Sequence, residues 1–420
     1  MSCQVWGNPN APILLVGVAP GKEELDNDIP FVGGSGALLW EVAKDAGITR
    51  ADCYIVNVIG EWPANKSGAP SAEQVAKYRP RFEAAITAFT GRLVVPMGGD
   101  ALSAATGLVG GIESWRGYLV NRSECNPIHL SLPVNTFYKT SNSKKGIKKG
   151  DPRIAKIRST RHCCIHNNIE LILPCLHPAG VMRSGRKTLP AFNADWQRIG
   201  RAFRKELWPT LDYKEGKDTY VPIMAGPFVI DLETFPFLRV GMAGRDDTGS
   251  PVAWTQLLDS ECRTNTLNEF AVPNRTLVAH NAQFDLGVLD MHGMGWDGPI
   301  FDTMLAAHIL QPDLYKGLNE VAPLYLDRSR WKHRSSEDEA AYNLDDAKVE
   351  YELFEILSEQ LREEGMEKLF YGNIMPALRV LTRMTKRGLL VDNTAREVWL
   401  EGLVVSQGNL LGQWTKLAGN

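Results

Sequence analysis

Apolar positions fall in two rhythms along the chain. Short unbroken runs, Ile13-Leu-Leu-Val-Gly17, Tyr54-Ile-Val-Asn57, Leu93-Val-Val-Pro-Met97 and Leu171-Ile-Leu-Pro-Cys-Leu176, predict buried strands. Between and after them, Gly36 to Lys44, Ser71 to Phe89 and Phe192 to Leu207 carry apolar residues at helical spacing. Ser71 and Gln74 form the pattern of a capping box, and Pro80 predicts a bend or break in the helix that follows. Strands alternating with helices predict an α/β domain over residues 1–208, built on a doubly wound, mostly parallel sheet.

Residues 209–225, mixed polar with Pro and Gly, read as a linker. A second α/β pattern covers 226–364. Phe228 to Ile230 predicts a buried strand, and Asp231 and Glu233 stand two apart at its end. Side chains at i and i+2 of a strand share a face, so both carboxylates point the same way and repel unless a cation lies between them. Oxygen ligands alone suit a hard ion such as Mg²⁺ or Mn²⁺. Downstream, the apolar run Thr276-Leu-Val-Ala279 leads into His280-Asn-Ala-Gln-Phe-Asp-Leu286, where Asp285 opens a helical pattern. Tyr342-Asn-Leu-Asp-Asp346 then opens a helix running through Val349, Leu353 and Leu357. Tyr342 and Asp346, four apart, lie on one face of it. Residues 365–420 predict two more helices, Ile374 to Gly388 and Ala395 to Leu417.

Composition narrows the class. The chain has 420 residues, 44% hydrophobic and 23% charged, enough for two or three domains with substantial cores. A net charge of −3 argues against a generally basic nucleic-acid binder, so any contact with DNA is local. Seven cysteines with no C-x-x-C pair fit reduced thiols and a cytoplasmic setting better than a disulfide framework. No apolar run is long enough to span a bilayer, so no membrane partner is expected.

The ordered motifs Asp231-Leu-Glu233, His280 to Leu286 with Phe301-Asp-Thr-Met-Leu305, and Tyr342 to Asp346 resemble the proofreading 3′–5′ exonuclease domain of family A DNA polymerases. The likeness is to the four-carboxylate subtype with a tyrosine in its third motif, and it implies a ribonuclease H-like fold with a mixed sheet. It also implies two Mg²⁺ or Mn²⁺ ions, held by Asp231, Glu233, Asp285 and Asp346, with Tyr342 orienting the attacking water and Asn281 near the DNA. Residues 365–420 resemble the start of the polymerase region and contain no motif for nucleotide addition. No polymerase activity is therefore expected from this chain alone. The implied substrates are single-stranded 3′ ends and primer-templates.

The first domain carries a second likeness. Gly17-Val-Ala-Pro-Gly21, Pro30-Phe-Val-Gly-Gly-Ser-Gly36, Asn57 and His177-Pro-Ala179 resemble family 4 uracil-DNA glycosylases. The resemblance implies that Phe31 stacks on a flipped base, Asn57 reads its polar edge and His177 steadies developing negative charge. Two departures stand out. The family's four cysteines for an iron–sulfur cluster are missing, with Glu61 and Tyr78 near where two belong, so no such cluster is expected. The family's acidic residue in the first motif is replaced by Val18, leaving Glu23, Glu24, Asp26 and Asp28 as the nearest acids.

A basic insertion at about 121–169 interrupts that pattern. Its Lys144, Lys145, Lys148 and Lys149 suit phosphate contacts, and a solvated loop is the other reading. His162-Cys-Cys-Ile-His166 is too crowded for the usual zinc spacings. The whole is read as the front part of a family A replicative polymerase of the phage type, active as a metal-dependent 3′–5′ exonuclease. Two alternatives remain open at this point: a non-catalytic DNA-binding subunit docking a separately encoded polymerase, and an active uracil-DNA glycosylase. A phage protein of this kind would work in the host cytoplasm.

Overall fold

The computed structural model describes residues 3–64, 69–108, 111–120, 125, 169–223, 225–234, 238–332 and 338–418. Lys144, Lys145, Lys148, Lys149 and the cluster at 162–166 lie outside them.

The first sheet has five strands, β1 (Val5–Trp6), β2 (Ile13–Gly17), β3 (Cys53–Asn57), β4 (Leu93–Pro96) and β5 (Leu171–Ile172), in the order β1-β3-β2-β4-β5. All neighbours are parallel except β1, which runs antiparallel to β3. Side chains alternate between faces. Leu14, Val16, Tyr54, Val56 and Val94 enter one core, while Ile13, Leu15, Ile55, Leu93 and Val95 enter the other. Burial on both faces is why these strands read as unbroken apolar runs. Helix Ala72–Ala88 starts on the expected capping box, Gln74 N donating to Ser71 Oγ at 3.1 Å and Ser71 N to Gln74 Oε1 at 3.0 Å.

That helix runs through Pro80 undivided. Pro80 is exposed, so solvent can take the place of the missing N–H. The strand expected over 171–176 is only two residues long. Pro174 has no N–H to continue the ladder, which resumes as a single bridge between Met97 and Cys175.

The second sheet has six strands, β6 (Lys214–Lys217), β7 (Ala225–Glu233), β8 (Arg239–Arg245), β9 (Pro251–Leu257), β10 (Leu277–Ala279) and β11 (Ile300–Asp302), in the order β11-β10-β7-β8-β9-β6. It is mixed: β7 is parallel to β10 and antiparallel to β8. Helix Glu339–Glu363 lies across β7, β8 and β9, and Asp338 caps it by accepting from Ala341 N at 2.9 Å.

Residues 209–225 are not the plain linker that their composition suggests. Lys214–Lys217 pairs in parallel with β9 as the sheet's edge, and Val221 and Ile223 are buried in its core. Only Gly216 of β6 is buried. A charged edge strand held by backbone bonds leaves no alternating apolar signal to read.

The two sheets are joined along the last long helix of the first, Leu189–Arg204. Its Arg198 and Arg201 grip the Asp327 carboxylate at 2.6–2.8 Å, with the Asp327 side chain fully buried. At the other end of the chain, Met375 and Leu378 of helix Met375–Arg387 are buried. Helix Asn393–Ala418 leaves Trp399, Leu403, Leu410 and Trp414 exposed. Among the described residues no helix is long and apolar enough to cross a membrane.

Candidate active site

Strand β7 ends in Asp231-Leu-Glu233, with Leu232 pointing into the core between two carboxylates on the opposite face. Helix Glu339–Glu363 brings Asp346 against them. One carboxylate oxygen from each of Asp231, Glu233 and Asp346 lies within 4.8 Å of the others. Burial, then the charges of Asp346, Asp285 and Glu233, hold the Asp231 carboxyl well above the usual carboxylate range. Burial and the Asp346 charge raise Glu233 as well. Carboxylates this close and this poorly solvated favour either protons or a cation, and their hard oxygens suit Mg²⁺ or Mn²⁺.

Asp285 stands beside this trio. Its Oδ1 accepts from Leu232 N at 3.0 Å, and burial pushes its pKa up to about 8. Tyr342 lies one turn before Asp346, and its hydroxyl accepts from Lys332 Nζ at 2.8 Å. Asn281 is exposed, with a left-handed φ of 72°, and starts helix Ala282–Met291.

Four residues of this site escaped the sequence reading. Asn343 donates to Asp231 Oδ2 at 2.7 Å and accepts from Thr255 Oγ1 at 2.6 Å. A Cβ on Gly241 would sit 2.8 Å from Asn343, so only glycine lets the helix approach β8 this closely. Trp331 Nε1 donates to Asp346 Oδ1, and Lys332 Nζ donates to Asp346 Oδ2 at 2.7 Å. Glu350 is buried one turn beyond Asp346, and its Oε2 has no partner among the described residues. Burial and the Asp231, Asp285 and Asp346 charges hold it well above the usual range. The spacing 342, 346, 350 was a visible signal for Glu350; nothing local marked the other three.

A second group gathers at the carboxyl edge of the first sheet. Phe31 is buried in a left-handed conformation, φ 54°, its ring 6.3 Å from that of His177. Such a backbone costs about 1–3 kcal/mol, and Trp40 Nε1 secures it by donating to Phe31 O at 3.0 Å. A Cβ on Gly17 would lie 2.1 Å from Asn57 Oδ1 and 3.2 Å from Phe31 Cζ, so the strand end must be glycine. Asn57 is buried and donates to Cys3 O at 3.0 Å. His177 Nδ1 accepts from Ala179 N at 3.2 Å, which places the ring proton on Nε2. Burial, with the Arg183 charge, lowers its pKa to about 4, so the ring is a neutral donor.

Val18 packs against the apolar core beside this group. Of the nearby acids, Glu24 is buried and accepts from Gly21 N at 3.0 Å. Glu23, Asp26 and Asp28 are exposed. Glu61 and Tyr78, near the expected cluster cysteines, hydrogen-bond each other at 2.9 Å, and Gln74 and Lys77 also donate to Glu61. A carboxylate and a phenol spent on each other do not fit an iron–sulfur cluster.

Residues 5–204 match the uracil DNA glycosylase superfamily, and residues 261–362 match a 3′-5′ exonuclease family. The chain joins a uracil-DNA glycosylase superfamily domain to a 3′–5′ exonuclease domain. Type-4 uracil-DNA glycosylase of Thermotoga maritima is 38% identical to the glycosylase-like domain over 97 residues, 23% of this chain and 50% of the relative. DNA polymerase I of Borreliella burgdorferi is 27% identical over 137 residues, 30% of this chain and 15% of the relative. The chain thus spans half or less of the length of these relatives. Among solved structures, Brucella melitensis NrnC is similar at 19% identity and a TM-score of 0.35, over 42% of this chain and 95% of that one.

Proposed function

We propose that this chain removes nucleotides from DNA 3′ ends by metal-dependent phosphodiester hydrolysis, as the proofreading part of a family A DNA polymerase. The observation that carries this reading is the cluster of Asp231, Glu233 and Asp346 oxygens within 4.8 Å of one another. Those three residues, with Asp285 beside them, would hold divalent ions, Mg²⁺ or Mn²⁺. When bound, such ions lower the pKa of a coordinated water and stabilise the leaving 3′ oxygen.

The protein's own part is positioning. Asn343 fixes the Asp231 carboxylate, while Trp331 and Lys332 fix the two oxygens of Asp346. The Tyr342 hydroxyl accepts from an ammonium that can only donate, so its own hydrogen is left to orient the attacking water. Single-stranded ends and primer-templates are the substrates this chemistry needs, and a separately encoded polymerase is a candidate partner.

The test is 5′-labelled single-stranded DNA incubated with the chain, with Mg²⁺ or with EDTA. A ladder shortening from the 3′ end only with metal is expected. Retarded but uncut DNA would instead indicate a binding subunit without catalysis.

The glycosylase-like domain supports a second activity, binding a flipped base without excising it. Phe31, Asn57 and His177 supply a ring, a carboxamide and a neutral donor in one place. Val18 supplies no general base, and Glu24, the buried acid nearby, is engaged with Gly21. Lys144, Lys145, Lys148 and Lys149 would add phosphate contacts.

A further inference from the structure

Six residues connect the two domains at the exonuclease centre. At one end, Asp327 is held by Arg198 and Arg201 and accepts from Trp208 N at 3.0 Å. Next, Leu119 N donates to Arg328 O at 3.1 Å, and Leu119 forms a parallel bridge with Ser329. Arg330 lies 4.5 Å over the ring of Trp115. Trp331 meets the edge of Tyr118 at 5.8 Å and 81°. Every one of those anchors, from Trp115 to Trp208, precedes the second sheet. At the other end, the Trp331 indole and the Lys332 ammonium take one Asp346 oxygen each.

We propose that Asp327–Lys332 is a positioning strap. The glycosylase-like domain holds its near end, and Trp331 and Lys332 fix the carboxylate plane of Asp346 and the hydroxyl of Tyr342. The first domain is then a structural part of the metal centre, whatever its own pocket binds.

Asp346 sits on a helix, and its side chain has two rotatable bonds. Without the strap, repulsion from Asp231 and Glu233 would turn its carboxylate away, since these groups crowd within 4.8 Å. An indole N–H and an ammonium from one anchored segment oppose that rotation. Lys332 also sets a cation against the trio, so it offsets charge before any metal arrives. Residues that orient a ligand in this way are commonly worth 10–100-fold in metal affinity or activity.

The proposal rests on the exonuclease reading, so its test separates metal binding from DNA cleavage. Mn²⁺ binding to the full chain is measured by calorimetry without DNA, beside 3′–5′ degradation at saturating Mn²⁺. Trp331→Phe keeps the ring against Tyr118 but loses the N–H; it should weaken Mn²⁺ binding about 10-fold. Lys332→Met should lower the degradation rate by roughly 10–100-fold, and Lys332→Arg should recover part of it. Arg201→Gln with Arg330→Gln loosens two of the contacts to the first domain while leaving Trp331 and Lys332 unaltered, and should weaken Mn²⁺ binding about threefold, a smaller loss than removing the indole N–H itself. Melting curves identify any variant that fails to fold, and Lys332→Met, at a partly exposed side chain, then decides the first claim.

Parental Mn²⁺ binding and turnover in both Trp331→Phe and Lys332→Met would overturn the strap. Parental binding in the double arginine variant, beside a weakened Trp331→Phe, would overturn the part assigned to the first domain. A parent that binds Mn²⁺ but leaves DNA intact sinks the exonuclease reading, and the strap is then judged on Mn²⁺ binding alone. A parent that binds no Mn²⁺ overturns both.

Discussion

Neutralising the strand-end pair is the most direct probe of the proposed metal centre. Asp231→Asn and Glu233→Gln together keep shape and hydrogen-bonding atoms while removing two charges. Their oxygens and that of Asp346 are no more than 4.8 Å apart. Two unit charges at that separation repel by about 3 kcal/mol at an effective dielectric of 20. Proton uptake already relieves part of this, because burial and like charge raise both groups. A net gain of about 1–2 kcal/mol is therefore expected in EDTA near pH 8, or roughly 2–8 °C in the melting temperature of a domain this size. With metal the order reverses. A ligand at 100 times its dissociation constant stabilises the parent by about 2.7 kcal/mol, and the variant should gain almost none of it. Melting both proteins in EDTA and in Mn²⁺, with a cleavage assay alongside, reads all three effects. Degradation of DNA by the variant near the parental rate would refute the site, as would an equal Mn²⁺ shift in both proteins.

Tyr342→Phe should lower turnover by about 10–100-fold while leaving calorimetric Mn²⁺ binding unchanged, because under the proposed function its hydroxyl orients water and is no metal ligand. Glu350→Gln should alter the pH dependence of stability in EDTA. The folded-state pKa of Glu350 lies well above its ordinary value of 4.5. Folding therefore favours its protonated form, and parental stability falls as pH rises from about 4.5 upward. The Gln variant should lose less stability over pH 5–9, matching the parent at the acid end; identical melting profiles would count against a buried acid held protonated. The glycosylase-like domain should retain uracil-containing single-stranded DNA yet yield no strand breaks after alkaline treatment, since base stacking is worth about 1–3 kcal/mol but a missing general base costs ~10²–10⁴-fold. Val18→Glu raising excision above the parent would support the argument; robust breaks from the parent itself would overturn it.

Much of the architecture was written locally. Four apolar runs marked four of the five strands of the first sheet, the three central ones because they are buried on both faces, and the Ser71–Gln74 box marked a helix start. Asp231 and Glu233 could be placed on one face from their spacing, because strand periodicity alone puts i and i+2 together. Tyr342 and Asp346 followed from helix periodicity in the same way.

What the sequence could not show depends on contacts between distant segments. β6 joins its sheet through backbone bonds under charged side chains, so no pattern announces it. Asn343 meets Asp231 across 112 positions, and that approach exists only because Gly241 leaves room. Trp331 and Lys332 carry no local pattern of their own; the first domain and the helix of Asp346 close on them from either side. Periodicity reports which way a side chain points within its own element. Which partner waits there is decided by how the elements pack, and Asp231 and Asp346 meet Asn343 and Lys332 only through that packing.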